Sequence, residues 1–168
     1  KINKGVESTS ISDLTAHGTG LGSSSAYTAG VLNALSHYKG QRYSRFNLAN
    51  DTCSIEIERC KHPIGKQDQF ASVFGGLNEI IFTKDAVNVI PLNVKTDVIN
   101  NFARNLLLFD TGIKRRSSSI LRGQKEAYSK KKFESTSNLL KLVPDFKDSL
   151  VKGNLEIIGE ILNEGWKI

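Results

Sequence analysis

The chain has 168 residues, enough for one domain or one and a half. Its charged fraction of 24% and hydrophobic fraction of 39% are those of an ordinary globular protein, which argues against a disordered or fibrous chain. No apolar run approaches the roughly 20 residues that span a bilayer, and no signal-peptide pattern is present, so no membrane partner is expected. The net charge of +6 is concentrated in residues 114–132, where Lys114, Arg115, Arg116, Arg122, Lys125, Lys130, Lys131 and Lys132 oppose Glu126 alone.

In chain order, Val6 to Ile11 alternates weakly and predicts a strand. It leads into Gly18-Thr-Gly-Leu-Gly-Ser-Ser-Ser25, with three glycines and three serines in eight residues. Behind it Ala26, Tyr27, Ala29, Val31, Leu32, Ala34, Leu35 and Tyr38 recur at helical spacing, predicting a helix over 23–38. A glycine-serine loop opening a helix suits an anion. Glycine lets the backbone approach closely, and the first helical N–H groups are unpaired and carry the positive end of the dipole. The P-loop signature fits poorly because no lysine follows the glycines, and the Rossmann fingerprint because the third glycine comes one residue early and the first acid downstream is Asp51. A serine-rich helix cap after a flexible turn stays open as the other reading.

A second helix is predicted over 44–61, capped by Ser44. Phe46, Ala49, Cys53, Ile57 and Cys60 form its apolar stripe. At about 100° per residue, Glu56 lies about 60° from the centre of that stripe and Glu58 about 140°. Glu56 therefore sits at the edge of the buried face, and Glu58 faces water. Cys53 and Cys60 lack a His/Cys cluster, so they predict buried thiols and not a zinc site. A turn at 62–65 precedes a short helix over 67–74, stopped by Gly75 and Gly76. Asp68 lies in its first turn, where the dipole favours the ionised form, and Lys66 reinforces that charge. Glu79–Phe82 and Val87–Val94 predict strands joined by a turn at Lys84-Asp85. Residues 97–104 predict a helix and 105–110 an apolar strand. Beyond Gly112 the pattern is helical, over 116–131, 134–151 and 154–167, with Pro144 breaking or kinking the middle helix. The basic run follows a helical period and carries one aromatic, Tyr128. It reads as a solvated helix face, or at Lys114 to Arg116 as a contact for an anionic sugar phosphate, and not as a nucleic-acid surface.

The segment Pro63-Ile-Gly-Lys-Gln-Asp-Gln-Phe-Ala-Ser-Val-Phe-Gly-Gly-Leu-Asn78, together with Gly-Leu-Gly-Ser-Ser-Ser, resembles the GHMP kinases, the family of galactokinase, homoserine kinase and mevalonate kinase. Gly-Lys-Gln-Asp-Gln with Gly-Gly-Leu-Asn is similar to the D-glycero-D-manno-heptose phosphate kinase branch. So are Leu107-Leu-Phe-Asp-Thr-Gly-Ile113 and Gly153-Asn-Leu-Glu-Ile-Ile-Gly-Glu-Ile-Leu-Asn-Glu-Gly-Trp166. The resemblance implies an α+β fold, with a ribosomal-protein-S5-like αβ domain ending near residue 112 and the opening helices of a ferredoxin-like domain over 113–168. The family's first and third motifs are not in the chain. Residue 1 is lysine and Ile168 follows directly on a helix. The chain therefore reads as the middle of a longer protein.

The resemblance also implies roles. Gly18, Gly20, Leu21, Gly22, Ser23, Ser24 and Ser25 would hold the phosphates of ATP. Asp68 would be the catalytic base, where an unmatched Asp would be a plain helix N-terminal charge. Magnesium would be held by Ser24 and a glutamate on the preceding helix. Helix phase and the twelve-residue step to Asp68 select Glu56 for this role. Lys66, Gly75, Gly76, Asn78, Thr111 and Arg115 would lie near the sugar, with a helix C-cap as the other reading of the glycines and a surface arginine as that of Arg115. The implied reaction is ATP-dependent phosphorylation of the anomeric hydroxyl of D-glycero-D-manno-heptose 7-phosphate, in the cytoplasm, serving surface-glycan synthesis. Fucokinase, another sugar-1-kinase, and a non-catalytic sugar and nucleotide sensor are the alternatives. Monomer and homodimer both stay open.

Overall fold

The structure is a computed structural model and describes residues 5–11, 20–109 and 130–168. These fall into two compact units. Residues 5–11 and 20–75 belong to the first, and 76–109 and 130–168 to the second.

The first unit is three helices packed on one another. Helix α1 is Ser23–Tyr38. Its buried positions are Ser25, Ala29 and Ser36, a stripe of small side chains at helical spacing, while Tyr27 and Tyr38 are exposed. The deepest positions of the helix are therefore small, and Val31, Leu32 and Leu35 of the expected apolar stripe are half-buried beside them. Helix α2 is Arg45–Cys53, capped by Ser44, whose Oγ accepts from the Asn47 N–H at 3.1 Å. It runs on as a π-helical segment, Ser54–Arg59, in which the Cys60 N–H donates to Ile55 O at 2.9 Å, five residues back. The wider turn carries Cys60 off the helix. Cys53 is buried as expected, but Cys60 is exposed. Helix α3 is Gln67–Phe74, ended by Gly75 at φ 61°. Phe46, Phe70 and Phe74 join α2 to α3 through edge-on and stacked ring contacts, 5.0 Å between the centroids of Phe46 and Phe74.

The second unit begins with a hairpin. Strands β1, Asn78–Phe82, and β2, Val87–Pro91, pair antiparallel with Ile80 opposite Val89. Thr83 closes the turn, its Oγ1 accepting from the Ala86 N–H and donating to Ala86 O, both at 3.0 Å. Helices α4, Thr96–Arg104, α5, Lys130–Lys152, and α6, Leu155–Lys167, complete the unit. Val94, Leu150 and Ile158 form its core, with Leu77, Leu92, Val98, Phe102, Phe146 and Leu155 around them. Gly153, at φ +75°, joins α5 to α6, and a Cβ there would meet Val98 Cγ2 at 2.9 Å, so only glycine fits.

The α+β class expected from the sequence is the class found. Several local expectations are corrected. Residues 5–11 are irregular and exposed, and so are 106–109, where Leu107, Leu108 and Phe109 are at least 78% exposed. Among the described residues neither segment has a neighbouring strand to receive its backbone hydrogen bonds, and strand propensity alone does not hold a strand. Helix α5 runs unbroken through Pro144. Pro144 has no N–H to offer the carbonyl of Leu140 four residues before it, and both residues are exposed. The expected helix over 116–131 lies almost wholly, and the domain boundary near 113 wholly, outside the described residues.

Candidate active site

The glycines of the loop take up the conformations the sequence suggested. Gly20 and Gly22 have φ of +70° and +68°, the left-handed region that favours glycine. Gly22 is the N-cap of α1 and offers no side chain to the first-turn amides. Ser23, Ser24 and Ser25 form that turn, and the first backbone bond closes from the Ala26 N–H to Gly22 O at 3.1 Å. Amides ahead of that bond are the orphan donors of a helix start, open to an anion. Leu21 is half exposed beside them.

Glu56 lies beneath this turn. It is 2% exposed and accepts three hydrogen bonds. Ser24 Oγ donates to Oε1 at 2.5 Å, while Ser25 Oγ and Gln69 Nε2 each donate to Oε2 at 2.6 Å. Glu58 is exposed and bonded to Ser54 Oγ at 2.7 Å. The two glutamates thus divide as expected, but Glu56 lies deeper than the edge of the apolar stripe. The buried set on this helix is Ala49, Thr52, Cys53 and Glu56, so Glu56 continues the buried face.

Asp68 reaches the same loop from α3. A Cβ placed on Gly22 would stand 3.5 Å from Asp68 Cγ and 3.7 Å from Oδ2, so the carboxyl packs directly on the glycine. Asp68 is in the first turn of α3 and exposed. Lys66 is the N-cap of α3, also exposed, and its charge acts on the Cys53 thiol. Burial pushes that thiol up to about 11, against the smaller opposing effect of Lys66.

The structure therefore brings together Gly22, Ser24, Ser25, Glu56 and Asp68 from three elements that the sequence separates. Gly75 ends α3, and Gly76 and Asn78 belong to the second unit, where Asn78 pairs with Pro91 at the start of β1. Gly18, Thr111 and Arg115 lie outside the described residues. Gln69 was missing from the sequence-based site. Its signal was its place beside Phe70 in an apolar helix, a polar residue on a face that packs inward.

Ser24 Oγ and Glu56 Oε1 are hard oxygen donors in contact, a set that suits magnesium. Among the described residues no three His, Cys, Asp or Glu side chains cluster to hold a metal by themselves. A cation here would draw further oxygens from a bound phosphate and water.

The model of the GHMP kinase N-terminal domain matches residues 1–76, the stretch holding the loop, Glu56 and Asp68. A D-glycero-alpha-D-manno-heptose 7-phosphate kinase of Campylobacter jejuni is 27% identical over 152 residues, covering 89% of this chain and 45% of its own length. A crystal structure of a candidate sugar kinase from Campylobacter jejuni superposes with a TM-score of 0.66 at 24% identity, covering 88% of this chain and 41% of the other. The chain thus spans less than half the length of these relatives. The GHMP kinase domain model thus falls on the part of the chain that holds the loop, the buried glutamate and the aspartate, and the chain is similar to GHMP kinases there.

Proposed function

We propose that the protein carrying this chain is an ATP-dependent sugar kinase acting on the anomeric hydroxyl of D-glycero-D-manno-heptose 7-phosphate. The observation that carries this reading is the packing of Asp68 on Gly22, next to the turn whose serines hold Glu56. Phosphoryl transfer is mostly positioning and charge neutralisation, and it needs a phosphate cradle, a cation site and a base within one small volume. The amides at the start of α1 bind the phosphates. Ser24 and Glu56 would hold magnesium, which would neutralise phosphate charge there. Asp68, exposed beside the loop, orients the sugar hydroxyl and takes its proton. Lys66, Gly75, Gly76, Asn78, Thr111 and Arg115 are assigned to the sugar phosphate from the family resemblance alone. The heptose is preferred because Gly65-Lys-Gln-Asp-Gln69 and the curated relative point to the same branch. Such a reaction places the protein in the cytoplasm, where ATP and magnesium are supplied.

A substrate panel in an ADP-release assay tests the reading. Heptose 7-phosphate is expected to be turned over with the highest kcat/KM, ahead of fucose, galactose and mevalonate. A preference for fucose would move the protein to a neighbouring branch. Nucleotide and sugar binding without turnover of any member would favour a sensor.

A further inference from the structure

Gln69 takes no part in the chemistry above, yet it is 0% exposed and reaches into the site. Its Nε2 donates to Glu56 Oε2 at 2.6 Å, the oxygen that also accepts from Ser25 at 2.6 Å. Among the described residues, Oε1 of Glu56 receives only Ser24, of the exposed loop turn. The two carboxylate oxygens are therefore unlike each other. Oε2 is clamped from behind by two buried donors, and Oε1 is turned toward the loop. The amide orientation follows from chemistry, since turning it over would set Gln69 Oε1 against a carboxylate, acceptor against acceptor. In the orientation found, Gln69 Oε1 is buried and has no hydrogen-bond partner. A buried carbonyl oxygen without a donor costs stability. A side chain chosen only to fill this space would be apolar, as its neighbour Phe70 is at the same depth.

We propose that Gln69 is a positioning residue for the metal-binding carboxylate. With Ser25 it fixes Oε2 of Glu56, and so presents Oε1 to Ser24 and the cation. The inference rests on the assignment of Glu56 to magnesium made above. Groups that hydrogen-bond a ligand from behind set its orientation, and losing one typically lowers metal affinity by about 10- to 100-fold.

Calorimetric titration with ADP, with and without magnesium, tests this without turnover. The comparison uses wild type, Glu56→Gln, Gln69→Met and Gln69→Leu, with melting temperatures on the same preparations. In wild type, magnesium tightens ADP binding. Both Gln69 variants are expected to lose about 10- to 100-fold of that tightening while binding ADP alone as before. Their melting temperatures should change little, because the lost donor to Glu56 Oε2, which keeps Ser25, is offset by removal of the unpartnered oxygen. Normal magnesium dependence in folded Gln69→Met or Gln69→Leu would overturn the proposal and leave the role of Glu56 standing. Failure of both variants to fold would also overturn it, making Gln69 a stability residue. Normal magnesium dependence in Glu56→Gln would instead remove the metal assignment itself, and the inference with it.

Discussion

In the first unit, Gln69, Thr52, Ser25 and Glu56 are at most 2% exposed, as deep as Phe70 and Ala49. In the second, the deepest residues are Leu150 and Ile158 at 2%, then Ser149 and Val94 at 8% and 9%. Both are helix-rich and of similar size. The second is held by apolar burial of the usual kind, and its ion pair of Lys147 with Glu79 at 3.1 Å is partly exposed and worth little. The first buries a carboxylate and the groups that satisfy it. Burying polar groups is favourable only when each is paired, and even then it gains less than packing an apolar side chain. The two units thus differ in what their deepest positions hold, polar groups alongside apolar ones in the first and mainly apolar side chains in the second.

The sharpest way to break this contrast is Asp68→Asn. The side chains are nearly the same shape, so the packing on Gly22 should survive, along with the fold and nucleotide affinity. What goes is the negative charge beside the hydroxyl. General-base catalysis is typically worth about 10² to 10⁴ in rate, and kcat should fall by that order. Melting temperature, ADP affinity and kcat measured together decide it. Near-normal turnover with a lowered melting temperature would make Asp68 a structural residue.

Next in size is Leu150→Ala in the second unit. Removing a buried leucine from an apolar cluster leaves a cavity, and costs about 2–5 kcal/mol. Urea unfolding should show the midpoint shift. Set beside Gln69→Met, which should leave stability nearly unchanged, it makes the difference between the units measurable. A loss below about 1 kcal/mol at Leu150 would mean that this cluster closes around the gap, unlike a well-packed core.

The difference between Glu56 and Glu58 is finer. Glu56→Gln should raise the magnesium needed for half-maximal rate by about 10- to 100-fold. Ser24→Ala should act in the same direction. Glu58→Gln removes an exposed side chain bonded to Ser54 and should change little. Magnesium titration of each variant tests the three together. If Glu58→Gln is the impaired one, the cation site is on the other side of the helix.

Much of this arrangement was legible in the sequence, because local rules were sufficient. Glycine and serine density marked the start of α1 at Ser23, Ser44 marked the cap of α2, and Gly75 the end of α3. The burial of Glu56 was legible too, although helix phase placed it shallower than it lies. The discrepancy is the π-helical segment, which no spacing of apolar residues announces and which also left Cys60 exposed. Strands were legible where a two-sided hairpin could form, from Asn78 to Pro91. They were not at 6–11 or 105–109, because a strand depends on a partner that its own residues do not encode. Gln69 escaped notice for a similar reason. Its role depends on a contact thirteen residues back in sequence, reached only when α3 packs on α2.

The smallest expected effect concerns Cys53, which belongs to the buried face of the first unit but is apolar in use. Burial pushes its thiol up to about 11. In the unfolded chain a thiol ionises near about 8.5. Between those values the unfolded chain has lost the proton and the folded one keeps it, so the unfolded state binds fewer protons. Stability is then whole below about pH 8.5 and falls as pH rises toward 11. Urea unfolding at several pH values across that window should show the decline in wild type and a shallower one in Cys53→Ala. Cys60→Ala should keep the decline, since Cys60 is exposed and gains nothing from burial. Alkylation at pH 8 gives an independent measure, because only the thiolate reacts. Cys60 should be modified first and Cys53 only slowly. Equal rates at the two cysteines would mean that water reaches the face on which Glu56 lies, and the dry polar cluster that separates this unit from the other would not exist.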